Sequence, residues 1–224
     1  MPPRALEPAG IVLVDKPAGP TSHDLVAQLR RRTGARTGHA GTLDPFATGL
    51  LLLLSGRATK LSGSFLGLDK RYLTDVDLTS RTSTGDPEGE ELERHEPPGA
   101  AELEQRLAGL RGEVALPIPA ASAVKIDGER AYRLHRRGVA VEMPVRRSTI
   151  HELRLHGFDG ETATIELHVS SGTYVRSVAE ALGGHCRTLR RTAIGPFSVE
   201  EADWERIVPV DEAVARLDHG AGGT

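Results

Sequence analysis

The stretch Gly-His-Ala-Gly-Thr-Leu-Asp-Pro-Phe-Ala-Thr-Gly, residues 38–49, contains the residues of this chain best suited to chemistry. Asp44 is a carboxylate that could act as a nucleophile, a general base or a metal ligand. Pro45 disfavours the α region for Asp44, and the glycines of the stretch allow positive φ angles or close approach of another molecule. His39 lies in the same loop. The pattern predicts a carboxylate that is held in a defined position.

An alternative interpretation of Asp44 involves no chemistry. Aspartate followed by proline is a common start of a helix, so a short helix from Pro45 to Thr48 would explain the pair, and local sequence alone favours this interpretation. The neighbourhood favours chemistry, because the glycine-rich loop leads directly into five leucines, Leu50 to Leu54, that are typical of a buried strand. Sequence alone leaves both interpretations open.

Two elements before the loop would position it. Residues 10–14 are apolar and predict a short strand, and the Pro- and Gly-rich segment 15–20 predicts an irregular loop. A helix follows, capped by Thr21 or Ser22 and ending before Gly34. Its predicted apolar face consists of Leu25, Val26 and Leu29.

A strand with alternating side chains is predicted over residues 71–80, after a helical segment over 57–68. Tyr72, Val76 and Leu78 share the inward face of this strand. A tyrosine at such a position usually belongs to the core. The alternative is an aromatic ring that stacks on a bound base.

Arg176 falls in the first turn of a predicted helix that begins near Thr173 and ends at Gly183. The positive end of the helix macrodipole disfavours a cation there, so we expect a carboxylate to hold Arg176. Asp44 is the candidate from elsewhere in the chain, because an arginine neighbour keeps an aspartate ionised even in a dry pocket. An ion pair with Glu180, one turn along the helix, is the alternative.

The remaining segments mix strands, hairpins and helices. Residues 81–98 are rich in Thr, Ser, Gly, Glu and Pro, which predicts a mobile loop or an edge insertion. Further predictions are a helix over 100–110, a strand over 113–117, an arginine-bearing helix over 128–138, a hairpin of strands 145–155 and 162–171, and an amphipathic piece over 208–217. This order favours an α+β fold over a doubly wound sheet.

Composition limits the class of protein. The 224 residues are 38% hydrophobic and 26% charged, with a formal net charge of -3, as in ordinary soluble globular proteins. The arginines cluster, so the sum can hide a basic face, although helix-end electrostatics explains Arg30 to Arg32 equally well. The single cysteine, Cys186, excludes an intrachain disulfide and a cysteine-based zinc site. No signal peptide or membrane span is indicated, so we predict a cytoplasmic protein.

The loop over residues 38–49 resembles the catalytic signature of the TruB family of tRNA pseudouridine synthases, in which the aspartate is catalytic. Other motifs of that family occur along the chain in the expected order. Asp-Lys-Pro-Ala-Gly-Pro-Thr-Ser resembles the first motif, whose lysine, here Lys16, shapes the surroundings of the active site. Lys-Arg-Tyr resembles the second, whose tyrosine, here Tyr72, packs against the target base.

Residues 119–132 resemble the third block of the family. The paired prolines and the aromatic residue that are common there are replaced by Ile118-Pro119 and by Ala121, a departure that concerns local packing. Gly-Thr-Tyr-Val-Arg resembles the fourth motif, which implies that Tyr174 lies in the site and that Arg176 pairs with the catalytic aspartate.

The stretch Leu189-Arg190-Arg191 resembles an element of the family that lines the pocket and the RNA surface. His39 matches a histidine that occupies space or assists when the target nucleotide is flipped out. The resemblance therefore implies that the catalytic residues are Asp44, Tyr72 and Arg176. The substrate-binding residues that it implies are His39, Lys16, Tyr174, Leu189, Arg190 and Arg191.

The resemblance implies an isomerase that converts uridine to pseudouridine at position 55 in the T-loop of tRNA, by an aspartate-dependent base-flipping mechanism without cofactor or metal. The implied fold is that of pseudouridine synthases, with a mixed, largely antiparallel sheet flanked by helices and loops. We expect a catalytic core over residues 1–178, completed by 179–218, then a flexible tail over 219–224 and no PUA domain. The expected partner is tRNA, with no membrane, no obligate protein partner and a monomeric state.

Two other functions fit parts of the pattern. A non-catalytic RNA-binding or RNA-chaperone module would use the arginine clusters, with Asp44 only as a helix cap. A hydrolase with a carboxylate nucleophile acting on nucleotides would need a second acidic residue near Asp44 or a phosphate-binding loop, and the sequence has neither.

Overall fold

The computed structural model describes residues 9–220. Residues 1–8, which bear on the prediction of no signal peptide, and residues 221–224 of the predicted tail lie outside the described residues. Within the described range, none of the helices is both long enough and apolar enough to span a membrane.

Strands and helices are mixed along the chain, which confirms the predicted α+β class. The elements are β1 (Gly10–Lys16), α1 (Ser22–Thr33), β2 (Thr37–His39), β3 (Thr48–Ser55), α2 (Ser62–Leu66), β4 (Lys70–Asp77), β5 (Ser80–Thr82), β6 (Glu91–Arg94), α3 (Ala100–Gly109), β7 (Gly112–Pro117), β8 (Lys125–Ile126), β9 (Glu129–Arg130), α4 (Ala131–Arg136), β10 (Val145–Phe158), β11 (Thr162–Val169), α5 (Val175–Ala181), β12 (His185–Cys186), β13 (Arg190–Ile194), β14 (Phe197–Ser198), β15 (Val208–Pro209) and α6 (Val210–Gly220). Short 3-10 helices cover Gly56–Leu61 and Val199–Glu201.

The chain divides into two compact units, and the division falls inside β4. Unit 1 runs to Tyr72 and resumes at Arg190, and unit 2 is Leu73–Leu189. In unit 1 the strand order is β15-β1-β3-β13, with β2 on β3 and β14 on β13. The β3–β13 pair is parallel, and the pairs β1–β15, β1–β3, β2–β3 and β13–β14 are antiparallel. In unit 2 the order is β4-β11-β10-β7, with β12 on β4.

The leucine run of β3 is buried on both faces of its sheet, which explains why it does not alternate with polar residues. Leu50, Leu52 and Leu54 belong to a core that includes Phe65, Phe197 and residues of α6. Leu51 and Leu53 belong to a second core, on the opposite face, built with α1. Strand β3 lies between β1 and β13 in the sheet of unit 1. Each of its fully buried leucines contributes about 2 kcal/mol to folding, so the run stabilises this unit strongly.

Helix α1 begins and ends as its sequence predicts. The Thr21 hydroxyl accepts a hydrogen bond from the Asp24 backbone N–H, and the Asp24 carboxylate accepts one from Thr21 N–H at 2.8 Å. Gly34 ends the helix with φ 65°. In the last turn, Arg30 donates to the Thr37 hydroxyl and Arg32 to the Glu205 carbonyl, so these two arginines make intramolecular contacts.

Two predictions for unit 2 were wrong in detail. Residues 81–98 do not form a mobile loop: they contain the β5–β6 hairpin, whose turn is held by local hydrogen bonds of Thr82 and Thr84 to Asp86 and by the ion pair of Asp86 with Arg176, which is distant in sequence. The predicted helix over 128–138 is shortened to α4, because the preceding residues pair as the β8–β9 hairpin, with Asp127 at φ 50° and Gly128 at φ 87° in its turn. The hairpin of β10 and β11 is confirmed.

Gly49 is required by the parallel pairing of β3 with β13. Its φ is 102°, and a Cβ at this position would lie 2.7 Å from the backbone nitrogen of Arg191 and overlap its carbonyl oxygen. We expect Gly49→Ala to lower the free energy of unfolding by at least about 2 kcal/mol, measured by urea denaturation. Gly38→Ala is the matched control, because a Cβ at Gly38 meets no atom within 4 Å. Equal stabilities of the two variants would contradict this account.

Candidate active site

Asp44 lies in a turn, and the alternative of a helix over Pro45 to Thr48 was wrong. Residues 43–47 are irregular, and Ala47 N–H donates a hydrogen bond to the Asp44 carbonyl at 3.2 Å without a helix forming around it. A helix does not form because Thr48 already belongs to β3, which is fixed by its pairing. Asp44 is half-buried at the start of this turn, so its carboxylate is not explained as a helix cap.

Lys16, the last residue of β1, holds the Asp44 turn from one side. Its side chain is fully buried, and its ammonium donates hydrogen bonds to the carbonyls of Pro17 at 2.9 Å, Pro45 at 3.1 Å and Ala47 at 2.7 Å. Gly19 N–H donates to the Pro45 carbonyl as well. A buried positive charge is thus fixed directly beside the turn that carries the carboxylate.

Arg191 and Ser22 hold the same loop at other points. The Arg191 guanidinium is buried and donates to the carbonyls of Leu50 at 2.7 Å, Gly41 at 3.1 Å and Thr42 at 3.4 Å. The Ser22 hydroxyl accepts from Leu43 N–H and donates to the Leu43 carbonyl. The backbone on both sides of Asp44 is therefore fixed by side chains from three separate segments of unit 1.

His39, the last residue of β2, packs edge-on against His23 of α1, with ring centroids 5.4 Å apart. Burial lowers the pKa of His39 below its usual value of 6.5, and the charges of His23 and Arg191 lower it further. The imidazole is thus neutral at neutral pH. Its Nδ1 is buried and has no hydrogen-bond partner within residues 9–220.

Tyr72 and Lys70 point inward from the first residues of β4, as the alternation predicted. Tyr72 is buried, with 7% of its surface exposed. The Lys70 ammonium donates to the carbonyls of Leu66 and Leu68. Burial lowers the pKa of Lys70 to about 8, helped by the charge of Arg191 and opposed by Asp69.

The lowered pKa of Lys70 should make the stability of the protein depend on pH. In the unfolded chain this lysine keeps its proton up to its usual value of 10.5, so between about pH 8 and 10.5 the unfolded state binds more protons. The stability difference between wild type and Lys70→Met should therefore shift in favour of wild type as pH rises through that window. NMR of labelled lysine side chains should show a titration near pH 8 that Lys70→Met removes. A stability difference between wild type and Lys70→Met that does not change with pH would contradict the lowered pKa of Lys70.

Arg176 lies in unit 2, in the first turn of α5, and is 3% exposed. It forms an ion pair with Asp86 at 3.2 Å and donates to the carbonyls of Thr84 at 2.7 Å and Ala121 at 3.1 Å. The expectation that a carboxylate holds this cation is confirmed for Asp86. The pairing of Arg176 with Asp44 stays a prediction.

Asp86 was missed in the sequence, although an Asp-Pro pair after Thr-Ser-Thr-Gly marks it as a turn residue. It is buried, and its second oxygen accepts hydrogen bonds from the Thr84 hydroxyl at 2.6 Å and from Glu88 N–H at 3.0 Å. Burial raises the pKa of nearby Glu180, against the opposing charges of Arg81 and Arg176. Asp86 thus ties the β5–β6 turn to α5 through Arg176.

The remaining predicted site residues fall in both units. In unit 2, Tyr174 is the half-buried N-cap residue of α5 and Leu189 is buried at the end of the unit. In unit 1, Arg190 forms a bidentate pair with Asp15, with distances of 3.0 and 2.7 Å. Within each unit the structure groups these residues around a motif loop: Lys16 and Arg191 contact the Asp44 loop, and Tyr174 precedes the helix of Arg176.

The arrangement supports carboxylate chemistry beside buried cations. Lys16 and Arg191 place positive charge next to the Asp44 turn, which favours the ionised form of a carboxylate there. Across the described part of the chain, no group of three or more histidine, cysteine, aspartate and glutamate side chains is arranged to hold a metal ion.

Comparisons with known proteins agree with the motifs. The family described as "TruB family pseudouridylate synthase (N terminal domain)" matches residues 29–175. A "tRNA pseudouridine synthase B" of Thermobifida fusca is 43% identical over 92% of this chain and 78% of its own length. A protein of the same name from Leifsonia xyli is 44% identical over 93% of this chain and 77% of its own length.

Solved structures have a similar fold. One chain of a Cbf5-Nop10-Gar1 complex matches with a TM-score of 0.64 and 26% identity, over 84% of this chain and 50% of its own. A chain of the archaeal box H/ACA sRNP Nop10-Cbf5 complex matches with a TM-score of 0.62 and 24% identity, over 96% of this chain and 54% of its own. This chain therefore spans about half the length of both.

The family match covers more than half of the chain, and the curated relatives share over two fifths of its residues along most of its length. These findings confirm the predicted pseudouridine synthase fold and the predicted enzyme class, isomerase. The chain belongs to the TruB family of pseudouridylate synthases.

Proposed function

We propose that this protein converts uridine 55 in the T-loop of tRNA to pseudouridine, with Asp44 as the essential carboxylate. The observation that carries the proposal is the Asp44 turn, which Lys16, Ser22 and Arg191 fix in place. Family membership supports the reaction, and relatives named tRNA pseudouridine synthase B support tRNA as the substrate.

The reaction breaks the N1–C1′ bond of uridine, rotates the uracil and forms a C5–C1′ bond. The hydrogen at C5 is lost and a proton is bound at N1, so atoms balance without a redox step. The ionised Asp44 starts the reaction by attack on the sugar or the base, or by promoting departure of the uracil. Arg176 keeps the carboxylate ionised, and Tyr72 stacks on the base.

The target nucleotide must leave the folded T-loop to reach the carboxylate, at a cost of about a few kcal/mol of stacking. We propose that the neutral His39 occupies the space left in the loop or assists the flipping, because an uncharged imidazole loses less hydration than a charged one when it packs against bases. Tyr174, Leu189 and Arg190 line the substrate surface, and Lys16 and Arg191 act by positioning the Asp44 loop.

The test is conversion of a T-arm stem-loop transcript in chelator-containing buffer, with pseudouridine measured after complete digestion. We expect the purified protein to convert one uridine per transcript, and to leave a matched transcript with cytidine at the target position unchanged. Binding of both transcripts with no pseudouridine in either would favour the non-catalytic RNA-binding module instead.

Cellular location, oligomeric state and the limits of the catalytic core are further properties of this protein. We propose that it acts in the cytoplasm as a monomer without an obligate protein partner, and that residues 1–178 form the catalytic core, completed by 179–218. Sedimentation of the protein with and without tRNA would test the monomeric state, and a stable dimer in both conditions would contradict it.

A further inference from the structure

Arg146 is an exposed arginine near the start of β10. Its place on the strand is fixed, because Arg146 pairs with Leu116 of β7, and Ile118 N–H donates to the carbonyl of Pro144 just before the strand. Within residues 9–220, the Arg146 guanidinium has neither a hydrogen bond nor an ion pair. Five N–H donors on a fixed strand are therefore not used by the protein.

The Arg146 side chain lies over the turn that leads into α5. Gly172 has φ 80°, and a Cβ there would lie 2.9 Å from Nε and overlap the rest of the guanidinium. The absence of a side chain at Gly172 thus lets the guanidinium lie directly against the backbone of the turn. This packing restricts the rotamers of Arg146, which lowers the entropy lost when the group binds a ligand.

The turn beneath Arg146 is held by four hydrogen bonds. Ser170 N–H donates to the Thr149 carbonyl of β10, and Thr149 N–H donates to the Ser170 hydroxyl, each at 2.8 Å. Thr173 closes the turn with hydrogen bonds from its N–H and its hydroxyl to the Ser170 carbonyl. The next residue is Tyr174, and Arg176 follows in the first turn of α5.

We propose that Arg146 binds a backbone phosphate of the substrate RNA beside the Tyr174–Arg176 segment. The inference rests on the proposed function, because that segment belongs to the site that binds the nucleotide. A guanidinium presents paired N–H donors that match the geometry of a phosphate. The Arg146 guanidinium is exposed, is held in place by the Gly172 turn and has no hydrogen-bond partner within residues 9–220, so it is suited to this contact. Arg146 is thus a substrate-binding residue and takes no part in bond making or breaking.

The test is the salt dependence of T-arm RNA binding, measured by fluorescence anisotropy with wild type, Arg146→Ala and Arg147→Ala. Arg147 is the matched control, because it is also exposed and its side chain, within residues 9–220, has neither a hydrogen bond nor an ion pair, but it points to the opposite face of the same strand. We expect Arg146→Ala to raise Kd about tenfold and to reduce the slope of log Kd against log salt by about 0.7 to 0.9. Arg147→Ala should stay within about twofold of wild type.

Two further measurements separate the possible results. Arg146→Lys keeps the charge but loses the paired N–H donors of the guanidinium. This variant should therefore keep the wild-type salt slope, with a Kd between that of wild type and that of Arg146→Ala. In conversion assays Arg146→Ala should raise KM and leave kcat unchanged, as expected for a contact made equally in ground and transition states. Both alanine variants should unfold at the wild-type temperature.

Equal Kd values and equal slopes for the two alanine variants would overturn the assignment of Arg146, and conversion of the RNA by wild type would still support the proposed function. If wild type binds the RNA without converting it, the proposed function fails, and a smaller salt slope for Arg146→Ala alone would still support the phosphate contact.

Discussion

Asp44→Asn is expected to lower the rate of pseudouridine formation at least about 10³-fold, because the amide keeps the shape of the side chain and removes the anion that starts the reaction. The variant should keep the wild-type fold. Lys16, Ser22 and Arg191 hold the loop through backbone carbonyls and amides, which the substitution leaves in place. The measurement is the single-turnover rate on a T-arm transcript.

The control for this variant is Asp211→Asn in the first turn of α6. Its side chain is 89% exposed and pairs with Arg57 at 3.6 Å on the surface, so the rate should stay within about twofold of wild type. RNA binding by Asp44→Asn should stay near that of wild type. A rate for Asp44→Asn within tenfold of the control would show that the carboxylate is not the initiating group.

The second large effect is expected at Asp86. Removal of one partner of a buried ion pair leaves the other charge without compensation, which costs about 3 to 5 kcal/mol. We therefore expect Asp86→Ala to lower the free energy of unfolding by about 3 kcal/mol or more, measured by urea denaturation. The pseudouridine yield should fall as well, because Arg176 and the β5–β6 turn lose the contact that aligns them.

Glu88→Ala is the matched control, since Glu88 is an exposed acidic residue of the same turn whose side chain makes neither a hydrogen bond nor an ion pair within residues 9–220. It should change stability by less than about 0.5 kcal/mol. The double variant Asp86→Ala with Arg176→Met should be less destabilised than the sum of the single variants, because the uncompensated charge is removed. Similar losses for Asp86→Ala and Glu88→Ala would contradict the structural role of the pair.

The sequence was sufficient to predict those elements whose structure depends on residues close to them in the chain. Helix α1 was predictable from its capping residues and from Gly34, since these satisfy the backbone groups at the helix ends. The burial of Leu50 to Leu54 on two faces was predictable from the unbroken apolar run. The inward position of Tyr72 followed from the period of its strand.

Polar groups that pair across long stretches of sequence were not predictable in the same way. The β5–β6 hairpin has the composition of a mobile loop, and its order depends on Asp86 meeting an arginine of α5. Arg191 belongs to a basic stretch that predicts an exposed surface, yet it is buried among the carbonyls of the Asp44 loop. Only the tertiary fold decides which arginines of a cluster are used internally, as Arg146 and Arg191 illustrate.

We propose that this protein isomerises uridine 55 of tRNA and that Asp44 is the carboxylate that the reaction requires. Position-resolved mapping of pseudouridine in a full-length unmodified tRNA transcript, after incubation with wild type or Asp44→Asn, tests it most directly. We expect pseudouridine at position 55 and at no other position with wild type, and none with the variant. Pseudouridine at 55 with both proteins, or none with a folded wild type that binds the transcript, would contradict the claim.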